Sequence, residues 1–359
     1  MKILVATGLF PPEIGGPATY AALLRDMLPK RGIAVDILAF SSVRHLPTVL
    51  RHIAYAWAVY RRAKGADIIF VQDTVSTGVP VWIAATLRRM PFVLRVPGDY
   101  AWEQGRQRLG VTAGIDEFQH GSYGVRVALL RTVQCRVAQA ATAVIVPSAY
   151  FGRLVAGWGV SASQLHVIYN SVDSVSAIPP ASPPAGKVIV TVGRLVPWKG
   201  FAELIDCVPR LPEWHLVVVG DGPGRGSLLA RARERGVAEQ VTFTGALSRA
   251  EVFGWYGVAD AFVLNSSFES FSYQVAEALQ RGVPVITTNV GSLPELVEDG
   301  VEGWLVSPND EDALVAAIES VATEPEVWKK RVEAGKRKAD MFNPETMIEK
   351  FIHVCEGAV

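Results

Sequence analysis

The sequence predicts an α/β protein of two doubly wound domains, each a parallel sheet wrapped by helices in the Rossmann manner. Short β-branched runs alternate with helical stretches along the whole chain. A proline-rich interruption falls near the middle, and the alternation then begins again. The length of 359 residues exceeds the size at which one core keeps growing, so two cores are expected.

In chain order, residues 2–7, 35–40, 67–71, 92–96 and 143–146 read as strands of a first sheet, because near-continuous Val, Ile and Leu mark strands covered on both faces. The opening run from Met1 to Thr7 is too short for the apolar segment of a signal peptide and is followed by Gly8 and a proline pair, so it belongs with the strands. From Ser174 to Gly186 the chain reads Ser-Val-Ser-Ala-Ile-Pro-Pro-Ala-Ser-Pro-Pro-Ala-Gly, where proline's fixed φ and missing N–H disfavour helix and central strand. The boundary is placed there, with residues 1–178 as the first domain and 186–341 as the second. Residues 187–192, 214–219, 241–243, 261–264 and 283–287 read as strands of a second sheet. In the closing stretch Met347, Ile348, Phe351, Ile352 and Cys355 recur at helical spacing, so residues 342–359 need a surface to pack on.

Composition narrows the function. Basic and acidic residues number 35 each, so bulk charge leaves no electrostatic footprint for nucleic acid. A hydrophobic fraction of 50% against 19% charged argues against disorder. Cys135, Cys207 and Cys355 lie far apart, without the spacing of a disulfide framework or a zinc site, which fits a reducing compartment and no metal. No apolar run approaches the roughly 20 residues that span a bilayer. The expected protein is soluble and cytoplasmic, or peripheral at the inner face of a membrane.

Open α/β sheets bind ligands beyond the carboxyl ends of their strands, so two facing sheets are expected to form a cleft with its chemistry in the loops after strands. The segment Glu269-Ser-Phe-Ser-Tyr-Gln-Val-Ala-Glu277 follows one such strand and opens a helix. Were the whole interval helical, its two acids would stand about 12 Å apart. Glycosidases hold their carboxylates roughly 5 to 9.5 Å apart around one bond. The wider spacing suits the two ends of a long ligand such as a sugar nucleotide, with solvated helix glutamates as the plainer alternative. The amides of Phe271, Ser272 and Tyr273 fall near the helix N-terminus, which favours phosphate.

Val192-Gly193-Arg194-Leu195-Val196-Pro197-Trp198-Lys199-Gly200 brings an Arg fork and a Lys point charge to a strand end. Together they can stabilise the charge that develops as a nucleotide diphosphate departs, without a metal. An ordinary surface loop would look the same. Between Gly8 and Thr19, Gly15 and Gly16 permit close backbone approach to a ligand, with a tight turn as the alternative. The run Gly220-Asp221-Gly222-Pro223-Gly224 invites a dinucleotide reading and fails it, because the third small residue falls at Arg225.

These motifs resemble the retaining GT-B glycosyltransferases of family 4, the group that includes sucrose-phosphate synthases, phosphatidylinositol mannosyltransferases and many bacterial polysaccharide enzymes. The resemblance covers nearly the whole chain. It runs through Gly15-Gly16, Val146-Pro147-Ser148, Ile168-Tyr169-Asn170-Ser171-Val172-Asp173, Gly193-Arg194 with Lys199-Gly200, Val219-Gly220-Asp221-Gly222-Pro223, the interval from Glu269 to Glu277, and Gly291-Ser292-Leu293-Pro294-Glu295. It implies Arg194 and Lys199 on the donor diphosphate, Glu277 on the ribose hydroxyls and Glu269 on the transferred sugar. Phe271 and Ser272 amides would assist the phosphates, Gly16 would approach donor phosphate or acceptor, and backbone near Leu247 would border the base. It also implies a C-terminal helix crossing back onto the first domain, a nucleotide diphosphate sugar as substrate, and no cofactor.

Many relatives carry a histidine in the loop after the fourth strand. Here that loop reads Arg95-Val96-Pro97-Gly98-Asp99-Tyr100-Ala101-Trp102-Glu103, and Asp99 is the candidate to face the sugar, with a turn aspartate as the alternative. Between Val43 and Lys64, Leu46, Val49, Leu50, Ile53, Trp57 and Tyr60 share one helical face near several arginines. That face either packs on the sheet, the preferred reading, or touches an anionic membrane. The expected activity is transfer of a hexose to a glycan or lipid-linked acceptor in cell-surface polysaccharide or glycolipid synthesis. The alternatives are a GT-B sugar-nucleotide epimerase and a catalytically idle donor-binding subunit of a glycan assembly complex.

Overall fold

The computed structural model describes residues 1–13 and 15–359, which fall into two compact units. One comprises Met1–Asn170 with Pro344–Val359, the other Ser171–Asn343. The division follows Asn170, so the proline-rich segment 174–186 runs within the second unit.

In the first unit the order is β1 (Lys2–Thr7), α1 (Gly16–Met27), β2 (Ala34–Ala39), α2 (Thr48–Arg62), β3 (Ile68–Val71), α3 (Gly78–Arg88), β4 (Phe92–Arg95), α4 (Tyr100–Arg108), α5 (Ile115–His120), α6 (Val125–Ala140), β5 (Ala143–Val146), α7 (Ala149–Ala156) and β6 (Leu165–Val167). The second unit continues with β7 (Lys187–Val192), α8 (Phe201–Cys207), β8 (Trp214–Val219), α9 (Arg225–Glu234), β9 (Val241–Gly245), α10 (Arg249–Tyr256), β10 (Ala261–Leu264), α11 (Tyr273–Arg281), β11 (Val285–Thr288), α12 (Leu293–Leu296), β12 (Trp304–Val306), α13 (Glu311–Thr323) and α14 (Pro325–Ala339). A closing helix, α15 (Pro344–Ala358), returns to the first unit.

Among the described residues the strands form two six-stranded sheets, ordered β2-β1-β3-β4-β5-β6 and β12-β11-β10-β7-β8-β9, with parallel neighbours throughout. Strands β6 and β12 were not expected from the sequence. Each is three residues at a sheet edge, too short to show a period, and their hydrogen bonds to β5 and β11 define them.

Alternation along each strand sends side chains to opposite faces. Ile3, Val5, Ile68, Phe70 and Ile145 meet Tyr20 and Leu24 of α1, with Met347, Ile348, Phe351 and Cys355 of α15. The apolar face read in the closing stretch therefore has its surface, and Phe351 packs edge-on against Phe70 at 4.8 Å. In the second unit Ile189, Leu216, Val218, Val263 and Ile286 join Leu204, Leu228, Leu314 and Trp328 in a separate core.

At the carboxyl end of the second sheet the loops interlock through their backbones. After β7, Leu195 N donates to Asp221 O in the loop after β8, and Ser267 N after β10 donates back to Trp198 O at 2.8 Å. Gly200 lies so close to β10's loop that a Cβ there would sit 1.8 Å from Asn265 O. After β11, Ser292 N donates to Glu269 O at 3.0 Å. Gly291 stands there at φ +58°, where a Cβ would come 2.4 Å from the same oxygen. The Gly291→Ala change is expected to lower the unfolding free energy by about 1–3 kcal/mol, read from denaturant titration. An unchanged midpoint and slope would mean that this loop is not held as described.

Candidate active site

Glu269 lies in the loop between β10 and α11, not on the helix, because α11 begins only at Tyr273. The fully helical spacing considered from sequence therefore does not apply. Glu269 is 7% exposed, and its Oε1 accepts from Lys199 Nζ at 2.5 Å and from Ser266 Oγ at 2.8 Å. Lys199 ends the 3₁₀ turn Pro197–Lys199 after β7, with Gly200 at φ +67° before α8 starts at Phe201. The two motifs read separately in the sequence thus meet in one buried ion pair, with side chains 14% and 8% exposed.

Arg194 occupies the same β7 loop, exposed and without an ion-pair partner among the described residues. Its backbone is fixed on both sides, by Gly193 N donating to Val219 O and Leu195 N to Asp221 O. The Gly220–Gly224 run that failed as a dinucleotide motif is therefore the support on which this loop rests.

Glu277 lies within α11, 7% exposed, and accepts from Arg249 Nε at 2.9 Å. Burial pushes its carboxyl above the ordinary glutamate value, with Arg249 pulling in the opposite direction. Arg249 opens α10, and its Nη2 also reaches Asp173 O at 2.9 Å. Sequence reasoning missed Arg249. Its available signal was the capping box of Ser248 and Glu251, which fixes the helix start two residues beyond Leu247. Leu247 itself is half-buried just before that cap.

Phe271, Ser272 and Tyr273 gather at the start of α11. Ser272 is the N-cap, fully buried, and its Oγ accepts from Val275 N at 3.3 Å. Phe271 packs edge-on against Tyr273 and Phe342, both at 5.6 Å. Arg194, Lys199, Glu269 and Glu277 all belong to segments that leave the carboxyl ends of β7 and β10, neighbouring strands in the second sheet.

In the first unit, Gly15 is the N-cap of α1 and supplies no side-chain hydrogen bond, and Gly16 is the first helical residue, followed by Pro17. Among the described residues the first turn of that helix therefore carries no side-chain cap. Asp99 is fully buried as N-cap of α4. Its Oδ1 accepts from Trp102 N at 3.0 Å and Gln134 Nε2 at 2.9 Å, and its Oδ2 from Gln119 Nε2 at 2.9 Å. A carboxylate so enclosed joins α4 to α5 and α6 and presents no open oxygen to a sugar. Sequence reasoning also passed over two buried polar side chains at the same sheet end. Gln72, after β3, is 1% exposed with both amide atoms unpartnered among the described residues. Arg95, ending β4, is 2% exposed, donates to Asn170 Oδ1 at 2.7 Å and lies 4.2 Å above the Tyr20 ring, while its Nη1 has no partner among the described residues.

Known proteins bear on this arrangement. The family description Glycosyltransferase Family 4 matches residues 14–175, and Glycosyl transferases group 1 matches residues 178–339. Over 189 residues the chain is 32% identical to glycogen synthase of Mycobacterium tuberculosis, a match covering 50% of this chain and 45% of that protein, so the chain spans under half of that relative's length. The fold is similar to sucrose-phosphate synthase from Thermosynechococcus elongatus, with a TM-score of 0.83, 19% identity and 99% of each chain covered. It is also similar to Anabaena HepE in complex with UDP-glucose, with a TM-score of 0.79, 21% identity, and 99% of this chain and 100% of that one covered. Two consecutive family matches over almost the full length, on two parallel Rossmann-like sheets, identify the chain as a member of the GT-B glycosyltransferases of the family 4 type.

Proposed function

We propose that the chain transfers a hexose from a nucleotide diphosphate sugar to a glycan or lipid-linked acceptor, with retention of configuration at the anomeric carbon. The observation that carries this reading is the Lys199–Glu269 pair beside the start of α11, with Arg194 on the same loop as the lysine. Two cations and a helix N-terminus suit a diphosphate, Glu269 suits the sugar hydroxyls, and Glu277 suits a ribose. UDP-glucose in the similar Anabaena structure supports a ligand of this class. The nucleotide-sugar substrate and three free cysteines fit a cytoplasmic setting. Polysaccharide or glycolipid synthesis is supported by the glycogen synthase relative.

In the proposed reaction the bond from anomeric carbon to phosphate oxygen breaks with its electron pair going to the diphosphate. Arg194 and Lys199 stabilise that charge in place of a divalent ion. The acceptor hydroxyl oxygen forms the new bond on the same face of the sugar and gives its proton to the departing phosphate. Asp99 takes the role of a positioning residue, because its hydrogen bonds hold α4. The buried polar atoms of Gln72 and Arg95 favour that end of the first sheet for the acceptor. The enclosed carboxylate of Asp99 also favours, as a second reading, an idle donor-binding subunit.

Two measurements test the proposal. With UDP-glucose as probe and a small alcohol as surrogate acceptor, Lys199→Ala and Glu269→Gln should each reduce turnover by roughly 100- to 1,000-fold, with no effect of a chelator and an α-linked product by NMR. A β-linked product would end the retaining reading, and absence of both transfer and slow donor hydrolysis would favour the idle binder. Secondly, ribose hydroxyls donate best to an ionised Glu277, whose pKa burial raises. Donor affinity should therefore fall on acidification starting above the ordinary value of 4.5, and Glu277→Gln should flatten that dependence while weakening binding about tenfold. An unaltered pH profile in the variant would take Glu277 out of the donor site.

A further inference from the structure

The outer surface of three helices in the first unit is apolar, cationic and free of acids. Val49, Leu50, Ile53 and Trp57 of α2 are 71%, 54%, 61% and 60% exposed. At 100° per residue they fall within an arc of about 100°, while Tyr55 and Val59 of the same helix turn inward and are fully buried. The reading that packed this face on the sheet is thereby corrected: two other side chains do the packing. Ile83 and Leu87 continue the surface on α3, and Val125 and Leu129 on α6, with α3 packed between the other two helices. More than half of the exposed large apolar side chains among the described residues lie on these three helices, whereas scattered single ones would need no account.

The charge pattern follows the same helices. None of the three contains Asp or Glu. Arg62 pairs with Asp36, but Arg61, Lys64, Arg89, Arg126 and Arg136 are exposed and make no ion pair among the described residues. Trp57 stacks on Tyr60 at 5.6 Å, and the Arg88 guanidinium lies 4.0 Å over that ring, so an aromatic-cation stack joins α2 to α3 at the surface. No helix of the described residues is long and apolar enough to cross a membrane.

We infer that this three-helix face docks on an anionic lipid bilayer, lying in the headgroup plane. Apolar side chains that enter the acyl boundary and cations that meet anionic headgroups use both halves of the pattern. A second copy of the chain would bring two cationic faces together and repel. The inference stands on this surface and is independent of the donor site.

The test is co-sedimentation of the full chain with vesicles of phosphatidylcholine alone, and of phosphatidylcholine with about one part in three phosphatidylglycerol. Binding is expected to the anionic vesicles only, and to fall at least about tenfold in Leu50→Glu/Trp57→Glu and in Arg61→Glu/Arg126→Glu. These side chains are exposed, so melting temperature and its shift by UDP-glucose should stay as in the parent chain. No vesicle binding, equal binding to both compositions, or a concentration-dependent dimer broken by the Leu50 and Trp57 changes would each overturn the inference. An unchanged donor shift alongside any of these leaves the transferase reading in place.

Discussion

The site in the second unit depends on backbone meeting backbone at the carboxyl end of its sheet. Loops after β7, β8, β10 and β11 donate to and accept from one another, and glycine stands where the approach leaves no room for a Cβ. Lys199 and Glu269 are 70 residues apart in sequence. They meet because the loops that carry them touch through Ser267 N and Trp198 O, and because Gly200 fits against Asn265. Parallel strands place every such loop at one end of the sheet, and β7 and β10 are neighbours there.

The ion pair this produces is a poor source of stability. Side chains 14% and 8% exposed have lost most of their hydration, a cost of several kcal/mol per ion that their attraction has first to offset. Its geometry is closely restrained. Glu269 accepts from Lys199 and Ser266 at once, which restricts both charged groups before any ligand arrives. The Arg249–Glu277 pair repeats the logic on α11 itself, with burial raising the glutamate's pKa and the arginine opposing it. Arg194 differs: exposed on a braced backbone, it retains its hydration.

Much of this was legible in the sequence, for identifiable reasons. Ten strands showed themselves as short runs rich in β-branched and aliphatic residues, whereas β6 and β12, three residues each at sheet edges, are strands by virtue of their neighbours alone. The motifs containing Arg194, Lys199, Glu269 and Glu277 were legible because each follows a recognisable strand. Arg249 was not, since its link to Glu277 spans 28 residues and the capping box beside it marks a helix start without naming that partner. The α2 face was misread for a related reason. Helical spacing reveals that apolar residues share a side, but which side faces the sheet is decided by Tyr55 and Val59, and one sequence supports either choice.

Asp99 shows the same limit at a single residue. An aspartate in the loop after β4 invites a catalytic role from sequence. Its position one residue before α4 invites equally the role of N-cap, which the hydrogen bond from Trp102 N fulfils. The remaining lone pairs then draw Gln134 and Gln119 from two further helices, and nothing in the loop itself announces those partners. Buried acids are retained where donors surround them. With three donors present the carboxylate completes a structural junction, whereas the guanidinium of Arg194 in the second unit is exposed and makes no ion pair among the described residues.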